Sequence, residues 1–324
     1  MIGRFAPTPS GRLHLGNLLC AQLAYLSARH AGGRFLLRIE DLDAPRCPKS
    51  LCDAAIQDLS WLGITWDEPP LFQSERGEIY QRYFRELERK GLLYPCFCTR
   101  AQLHAASAPN RGDENPVYAG VCAHLSPEDI AERIRTRRPA IRLRVLDETI
   151  AVQDCHYGQY SEYMPRDCGD FIIRRSDGLF GYQLAVVVDD ALSGVNEIVR
   201  GHDILSSTPR QIYIQRLLGF DTPSYVHIPL LEDADGRRLA KRDRDMDLTS
   251  LSKRFSREDI LGMLAYSAGI LEEERPAAMD ELISRFDWKN VKKEDIRLGK
   301  TVGAFPGNSH RNASVSCDFQ SPPR

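Results

Sequence analysis

The first forty residues alternate between apolar runs and a Gly/Pro-rich turn, in an order typical of a strand, a helix and a second strand. An apolar run at residues 2–6 is followed by the turn PTPSGRLHLGN and then by leucines at helical spacing, up to Gly32 and Gly33. The apolar run RFLLRI comes directly after these glycines. The pattern predicts a βαβ unit, and therefore a parallel sheet, at the start of the chain.

Helical and strand patterns continue along the rest of the chain. Helical spacing recurs at residues 50–62 and 76–90, so helices are expected to cover the sheet. Residues 94–166 break into short pieces with scattered Gly, Pro and Cys, and they are interpreted as an insertion. Strand patterns return at FIIRR, AVVVDD and EIVRG, and helical spacing returns after about residue 250.

These patterns divide the chain into five predicted segments. We predict an α/β fold in which a Rossmann-type parallel sheet is interrupted by the insertion and followed by a short helical region. The last residues are rich in Gly, Pro, Ser and Asn, which is typical of a poorly ordered tail. The segments are 1–93 and 167–249 for the two halves of the parallel-sheet domain, 94–166 for the insertion, 250–298 for the helical region and 299–324 for the tail.

Composition narrows the class of protein without indicating its chemistry. The 324 residues carry a formal net charge of −2, so a nucleic-acid partner would have to be bound by a local basic surface. No apolar run approaches the roughly 18 residues that a membrane span needs, and a signal peptide is not expected. Nine cysteines without a regular framework argue against a secreted disulfide scaffold. We expect a cytoplasmic protein without a membrane partner, and a monomer.

The turn between the first strand and the first helix has features of an anion site. Its backbone amides and the positive end of the helix can face a phosphate group. His14 and Asn17 fall on one side of the first helical turn, and Gly16 between them lets a nucleotide approach the backbone closely. A capped helix with a tight entry loop has the same pattern, so the loop alone leaves both interpretations open.

Four sequence blocks together resemble the glutamyl and glutaminyl branch of the class I aminoacyl-tRNA synthetases. RFAPTPSGRLHLGN resembles the HIGH-motif loop of that family. RIEDLDAPR, DGLFGYQLAVVVDD and IVRGHDILSSTPRQ resemble further blocks, in the family's order. The resemblance covers residues 1–248 and is nearest to the short group of glutamyl-Q tRNA(Asp) synthetases. It implies a class I synthetase fold whose Rossmann-type sheet carries an inserted, acceptor-type subdomain that binds zinc.

The resemblance implies an ATP site that forms an adenylate. RRLAKRD resembles the mobile KMSKS loop, with Lys241 placed to stabilise charge that develops on the phosphates. By itself this stretch would be interpreted as a solvated basic turn. His14, Asn17 and Lys241 are expected to be catalytic. With Gly16 they are expected to bind ATP, accompanied by Mg²⁺, although Asn17 replaces the family's second histidine and Ala240 replaces the loop serine.

The resemblance also implies an amino-acid pocket, and the chemistry of glutamate agrees with it. Glutamate needs a carboxylate near its amine and an arginine near its side chain, because arginine pairs bidentately with carboxylates. Arg4 interrupts an apolar strand, where a charge without a partner would be costly. Glutamine would leave such an arginine without a counter-charge, so glutamate is the expected substrate. The implied glutamate-binding residues are Arg4, Phe5, Ala6, Pro7, Thr8, Glu40, which faces the amine, Tyr182 and Arg200.

A group of thiols inside the insertion is a candidate metal site. Cys96 and Cys98 form a CxC pair, and Cys122 follows after a gap. Three thiolates suit Zn²⁺, although buried free cysteines fit the spacing as well, and His124 is the ordinary choice for a fourth ligand. The resemblance implies Tyr118 instead, in a closed ligand set whose role would be structural.

The implied reaction has two steps. The α-carboxylate of glutamate attacks the α-phosphate of ATP, and the glutamyl group then passes to an RNA hydroxyl. The chain after Ser250 is too short for the anticodon-binding region of a full glutamyl-tRNA synthetase, and the implied acceptor is the queuosine base at the wobble position of tRNA(Asp). Three alternatives remain: a truncated glutamyl-tRNA synthetase charging the 3′ end, a non-catalytic RNA-binding paralogue, and a small-molecule nucleotidyltransferase.

Overall fold

The computed structural model of the chain describes residues 1–99, 117–233, 236–237 and 247–298. The segment predicted as a tail and most of the KMSKS-like stretch lie outside the described residues. Among the helices in the described ranges, none is both long and apolar enough to cross a membrane.

The predicted βαβ unit is present at the start of the chain. Strands β1 (Ile2–Phe5) and β2 (Arg34–Ile39) are parallel neighbours, and helix α1 (Leu15–His30) connects them. Strand β3 (Leu71–Phe72) pairs with β2 in the same direction. The leucines of α1 are buried in the hydrophobic core next to this sheet, which accounts for their helical spacing.

A second set of strands lies on the other side of β1. Strands β9 (Glu197–Gly201) and β10 (Ser224–Ile228) pair in parallel, and β10 also pairs in parallel with β6 (Thr149–Asp154). Strand β7 (Gly158–Tyr163) completes this sheet as the antiparallel hairpin partner of β6. The strand order β7-β6-β10-β9 therefore leaves β9 free to approach β1.

The amino ends of β1 and β9 are joined by hydrogen bonds. The backbone N–H of Asn196 donates to the carbonyl of Ile2, and the side-chain oxygen of Asn196 accepts from the Ile2 N–H. Because both strands start at this point, their carboxyl ends open onto the same edge. That edge is where ligands bind in open parallel sheets.

The helices that cover the sheet match the predicted ones, with one correction. Helices α2 (Lys49–Trp61) and α3 (Gly77–Arg89) begin and end within one residue of the prediction. The AVVVDD stretch, expected to be a strand, lies instead in helix α5 (Tyr182–Leu192). Its valines are all buried in the core between the sheet and its neighbours α3 and α6 (Ser207–Leu218). A continuous apolar run suits a helix that is buried on every side as well as a strand.

The middle of the chain forms a small antiparallel sheet. Strand β5 (Ala140–Leu143) pairs with both β4 (Leu93–Cys96) and β8 (Phe171–Arg174), and the exposed helix α4 (Pro127–Thr136) precedes β5. The hairpin β6–β7 also lies within the predicted insertion, and it pairs with β10 of the parallel sheet. The domain boundaries themselves stay a prediction.

The C-terminal helices pack onto the first half of the fold. Helices α7 (Leu248–Leu251), α8 (Arg257–Ala268) and α9 (Met279–Arg285) contribute to the same hydrophobic core as α1. Strand β12 (Ile296–Arg297) then pairs in parallel with β11 (Leu231–Glu232), which ends a few residues before the KMSKS-like stretch.

Candidate active site

The HIGH-type loop closes the amino end of α1 with its own side chains. The backbone N–H of His14 donates to Oδ1 of Asn17 at 3.3 Å, and the backbone N–H of Asn17 donates to the His14 carbonyl at 2.8 Å. A Cβ on Gly16 would lie 3.1 Å from Cε1 of His14, so glycine leaves room for the imidazole. The asparagine that departs from the family pattern therefore caps the helix that carries the loop.

Backbone pairing holds the described segments that flank the KMSKS-like stretch on either side. Strand β11 before it pairs with β12, while Asp247 after it forms a bridge with His14. The N–H of Leu248 also donates to the carbonyl of Leu13 at 3.4 Å. The HIGH-type loop is thus in direct contact with the residues that follow the KMSKS-like stretch. Lys241 lies outside the described residues, and its catalytic role stays a prediction.

Two buried arginines meet one buried aspartate at the carboxyl edge of the sheet. Nε of Arg4 donates to Oδ1 of Asp190 at 3.3 Å, and Nη1 of Arg38 donates to the same oxygen. Nη2 of Arg38 also donates to Oε1 of Glu40 at 3.2 Å. The hydroxyl of Thr8 donates to the other oxygen of Glu40 at 3.1 Å. Two positive and two negative charges balance here, as burial requires.

The two carboxylates of this network differ in how well their charge is compensated. Burial raises the pKa of Glu40, and the nearby Arg38 and Arg4 reduce that rise without cancelling it. At Asp190 the effect of burial is outweighed by the same two arginines, so its pKa lies below the ordinary value. An added cation beside Glu40 would therefore be stabilising. A substrate ammonium group is such a cation.

The buried Arg200 has a different environment. Its Nε donates to Nε2 of His227 at 3.0 Å. Its Nη1 and Nη2 donate to Oε1 of Gln211 at 2.7 Å and to the hydroxyl of Thr208 at 2.6 Å. In the described part of the chain, the atoms that accept from Arg200 are thus all uncharged, and they use three of the five guanidinium N–H groups. A buried cation in this state favours an anionic ligand.

Tyr182 begins helix α5 beside these charges. The pKa of its phenol is raised by desolvation and by Glu40, while Arg200 and Arg4 act in the opposite direction. The phenol is therefore within electrostatic range of both sides of the pocket. The residue as a whole is 40% exposed, as expected for a group at a pocket entrance.

The remaining predicted pocket residues contribute mainly backbone. Phe5 has its side chain in the hydrophobic core, so only its main chain can face the pocket. Ala6 is half-buried, and the carbonyl of Pro7 accepts from the N–H of Glu40 at 2.9 Å. This bond fixes the segment from Arg4 to Thr8 against the end of β2.

The predicted metal ligands converge within the antiparallel region. The sulfur atoms of Cys96, Cys98 and Cys122 all lie within 4.8 Å of one another. Those of Cys98 and Cys122 are 3.6 Å apart, near the spacing of about 3.8 Å that tetrahedral zinc with Zn–S bonds of about 2.3 Å requires. The hydroxyl of Tyr118 lies 3.5 Å from the sulfur of Cys96. His124, the alternative ligand, is exposed and is not part of this group.

A family model described as the catalytic domain of tRNA synthetases class I (E and Q) matches residues 1–296. The chain belongs to this family. This class I synthetase is 46% identical to a Glutamyl-Q tRNA(Asp) synthetase of Symbiobacterium thermophilum, over 95% of the present chain and 99% of that protein. It is 43% identical to a Glutamyl-Q tRNA(Asp) synthetase of Nitratidesulfovibrio vulgaris, over 87% and 90% of the two chains.

A solved structure supports the same assignment of the fold. The glutamate tRNA ligase of Elizabethkingia meningosepticum, in complex with its amino acid, superposes with a TM-score of 0.78 at 27% identity. The match covers 92% of this synthetase and 67% of the other chain. The predicted class I Rossmann-type parallel sheet is confirmed, and membership of the family makes the chain a ligase.

Several residues of the synthetase's pocket were not predicted from the sequence. Arg38 interrupts the apolar strand RFLLRI, and His227 interrupts the apolar strand YVHIPL. The signal that singles out Arg4, a charge or polar ring within an apolar strand, is therefore present at both positions. Asp190 and Asp154 carry no such signal, because aspartates near the ends of helices and strands are common.

Proposed function

We propose that this synthetase activates glutamate with ATP and transfers the glutamyl group to the queuosine base of tRNA(Asp). The observation that carries the choice of amino acid is the buried guanidinium of Arg200, whose described acceptors are uncharged. The choice of acceptor is supported by the relatives at 43–46% identity that bear the name Glutamyl-Q tRNA(Asp) synthetase.

In the proposed complex, the charges of the pocket orient glutamate by both of its ends. Arg200 binds the side-chain carboxylate through its remaining N–H groups, and Glu40 binds the ammonium group. Glutamine would leave the cation without a counter-charge, which favours glutamate strongly. Tyr182 and the segment from Arg4 to Thr8 complete the pocket. The α-carboxylate is then left to attack ATP.

The amino end of α1 is proposed to receive the phosphates of ATP. Backbone N–H groups and the helix dipole favour an anion there, with His14, Gly16 and Asn17 on the first turn. We assign Lys241 to the departing pyrophosphate. Mg²⁺ would accompany the nucleotide and offset phosphate charge. The residues act by holding the reactants in line and by countering charge, and no covalent enzyme intermediate is required.

We expect radiolabelled glutamate to be transferred to tRNA from a strain that makes queuosine, and not to tRNA from a strain that lacks it. The measurement is acid-precipitable label after incubation with ATP. As a control, removal of the 3′-terminal nucleotide from the queuosine-containing tRNA should leave the labelling unchanged, because the proposed acceptor is the base.

The other outcomes of this assay support other functions. Equal labelling of both tRNA preparations, abolished by removal of the 3′-terminal nucleotide, would indicate ordinary 3′ charging. No label on either, together with no glutamate-dependent exchange of pyrophosphate into ATP, would indicate a non-catalytic RNA-binding protein.

The inserted region is proposed to hold one structural Zn²⁺ in the acceptor-type subdomain. Cys96, Cys98 and Cys122 supply three thiolates, which zinc prefers. The phenol of Tyr118, 3.5 Å from the sulfur of Cys96, would be an unusual fourth ligand. The donor set has four members and would leave no open position. The ion would therefore join the loop after β4 to the segment before α4 and would take no part in adenylate formation.

We expect about one zinc per chain in the wild type. Cys98→Ser should lose most of this zinc and should lower Tm by about 4 °C or more, because one of four ligands is lost. Elemental analysis and thermal unfolding measure the two effects. Cys155→Ser is the matched control, because Cys155 is a free, exposed thiol outside the group, and it should retain zinc and Tm. Wild-type protein without zinc, with a Tm insensitive to chelators, would contradict the proposed site.

A further inference from the structure

A buried aspartate–histidine pair lies directly behind Arg200. The three residues come from neighbouring strands, with Asp154 at the end of β6, His227 on β10 and Arg200 on β9. Nδ1 of His227 lies 2.6 Å from Oδ2 of Asp154, and Nε2 accepts from Arg200 at 3.0 Å. His227 and Asp154 are 0% and 1% exposed, so neither contacts solvent.

The hydrogen bonds determine which nitrogen of His227 carries the proton. Nε of Arg200 can only donate, so Nε2 of His227 must accept and is unprotonated. The proton of the neutral ring therefore lies on Nδ1 and is donated to Asp154. Asp154 is itself fixed, because its other oxygen accepts from the backbone N–H groups of His156 at 3.0 Å and Tyr157 at 2.8 Å.

The surroundings favour the neutral imidazole. Burial lowers the pKa of His227, and Asp154 counteracts this effect while the Arg200 guanidinium and His202 add to it. The other groups that face the ring are uncharged: the hydroxyl of Thr208 from α6, 3.4 Å from Nε2, and the stacked ring of Tyr225 on its own strand. At pH 7 the ring is therefore an acceptor toward Arg200.

The two arginines of the pocket are held in opposite ways. Arg4 bonds directly to the carboxylate of Asp190, which compensates its charge. Arg200 bonds to an imidazole, which separates it from the carboxylate of Asp154 by the width of the ring. A neutral acceptor can fix the orientation of a guanidinium without cancelling its charge.

We propose that Asp154 and His227 are positioning residues for glutamate recognition. Asp154 fixes the tautomer of His227, and His227 holds Arg200 so that its charge is directed to the side-chain carboxylate of the substrate. The inference rests on the proposed function, because it assigns Arg200 to glutamate.

Asp154→Asn tests the tautomer. The introduced amide would donate to Nδ1 of His227, so the ring proton would move to Nε2 and two donors would face each other at Arg200. The KM for glutamate in ATP–pyrophosphate exchange, measured with tRNA present, should rise about 10- to 100-fold, while kcat changes by no more than about threefold. Asp147→Asn is the matched control, since Asp147 is exposed just before the same hairpin and should leave KM unchanged.

His227→Gln provides a second test that does not depend on a substitution of Asp154. In the wild type, the KM for glutamate should rise at acid pH, because a protonated ring can no longer accept from Arg200. The pKa of His227 is lowered by burial, so this rise begins below the ordinary histidine value of about 6.5. The carboxylates of glutamate stay ionised down to about pH 5. The pKa of Glu40 is raised, so its protonation also weakens glutamate binding at acid pH, and it does so in the wild type and in a variant at position 227 alike. Glutamine at position 227 keeps a neutral acceptor that does not titrate. This variant should therefore show a KM near the wild-type value at pH 7 and a smaller acid-dependent rise than the wild type, with only the part due to Glu40 remaining.

The outcomes separate this inference from the proposed function. Wild-type protein without glutamate-dependent exchange would overturn the proposed function itself. Normal exchange with an unchanged KM in Asp154→Asn would overturn the positioning role, as would a fall of kcat in step with Tm. If the Asp154 variant does not fold, a His227→Gln variant whose KM rises with acid as steeply as that of the wild type would overturn it as well.

Discussion

Arg200→Met is expected to lower kcat/KM for glutamate by about 10³-fold and to change the free energy of unfolding by no more than about 2 kcal/mol. The activity falls because the variant loses charge-assisted bonds to the substrate carboxylate. Stability changes little because the direct acceptors of Arg200 are uncharged. The nearest buried carboxylate behind them, Asp154, keeps its bonds to His227 and to the backbone N–H groups of His156 and Tyr157. ATP–pyrophosphate exchange and urea unfolding measure the two quantities.

The matched control for this prediction lies on helix α6. Arg216 is exposed and pairs with Glu148 at 3.2 Å, so Arg216→Met should leave kcat/KM for glutamate unchanged. If Arg200→Met retains most of its kcat/KM for glutamate, the side-chain carboxylate is bound elsewhere. If the variant unfolds, Arg200 has a structural role that its neutral partners do not account for.

Asp190→Asn is expected to destabilise the protein by about 3–5 kcal/mol, because Arg4 and Arg38 lose the buried carboxylate that both contact. The pKa of Asp190 lies below its ordinary value, so the unfolded state takes up a proton first as the pH falls. The stabilisation is therefore present at neutral pH and is lost as the pH falls below about 4. Urea unfolding at pH 7 and across this range measures both effects.

An exposed ion pair provides the comparison for Asp190. Asp177 is exposed and pairs with Arg175 at 2.6 Å, and Asp177→Asn should change the free energy of unfolding by less than about 1 kcal/mol. Equal, small effects of the two substitutions would show that the Arg4–Asp190–Arg38 group does not depend on its negative charge.

These two predictions distinguish arginines that the sequence presents alike. Arg4 and Arg200 both follow apolar residues in a strand, and both were assigned to glutamate from the resemblance. In the fold, Arg4 has a buried carboxylate partner and Arg200 has only neutral ones among the described residues. Arg4 therefore contributes to the stability of the fold through its ion pair with Asp190. Arg200 is the better candidate for the residue that selects a negatively charged substrate side chain.

The sequence by itself determined the elements whose signals are local. The βαβ unit and helices α2 and α3 follow from apolar periodicity and from glycines at helix ends, and they form within one residue of the predicted bounds where these were given. The spacing of Cys96, Cys98 and Cys122 indicated a group that the fold does bring together. The local pattern could not show whether AVVVDD forms a helix or a strand. An element that is buried on all sides is apolar all round, so its sequence has no period that would distinguish the two.

Only the tertiary structure decided how the charges of the pocket are paired. Arg4 and Asp190 are 186 residues apart, and Asp154 and His227 are 73 apart, so their contacts depend on which strands become neighbours. Burial then sets the consequences, since a low-dielectric interior requires each charge to have a partner and makes a neutral acceptor different from a charged one. The sequence contains the arginines, the aspartates and the histidine. The order of β1, β9, β10 and β6 in space determines which arginine pairs directly with a carboxylate of the protein and which is left to pair with the substrate.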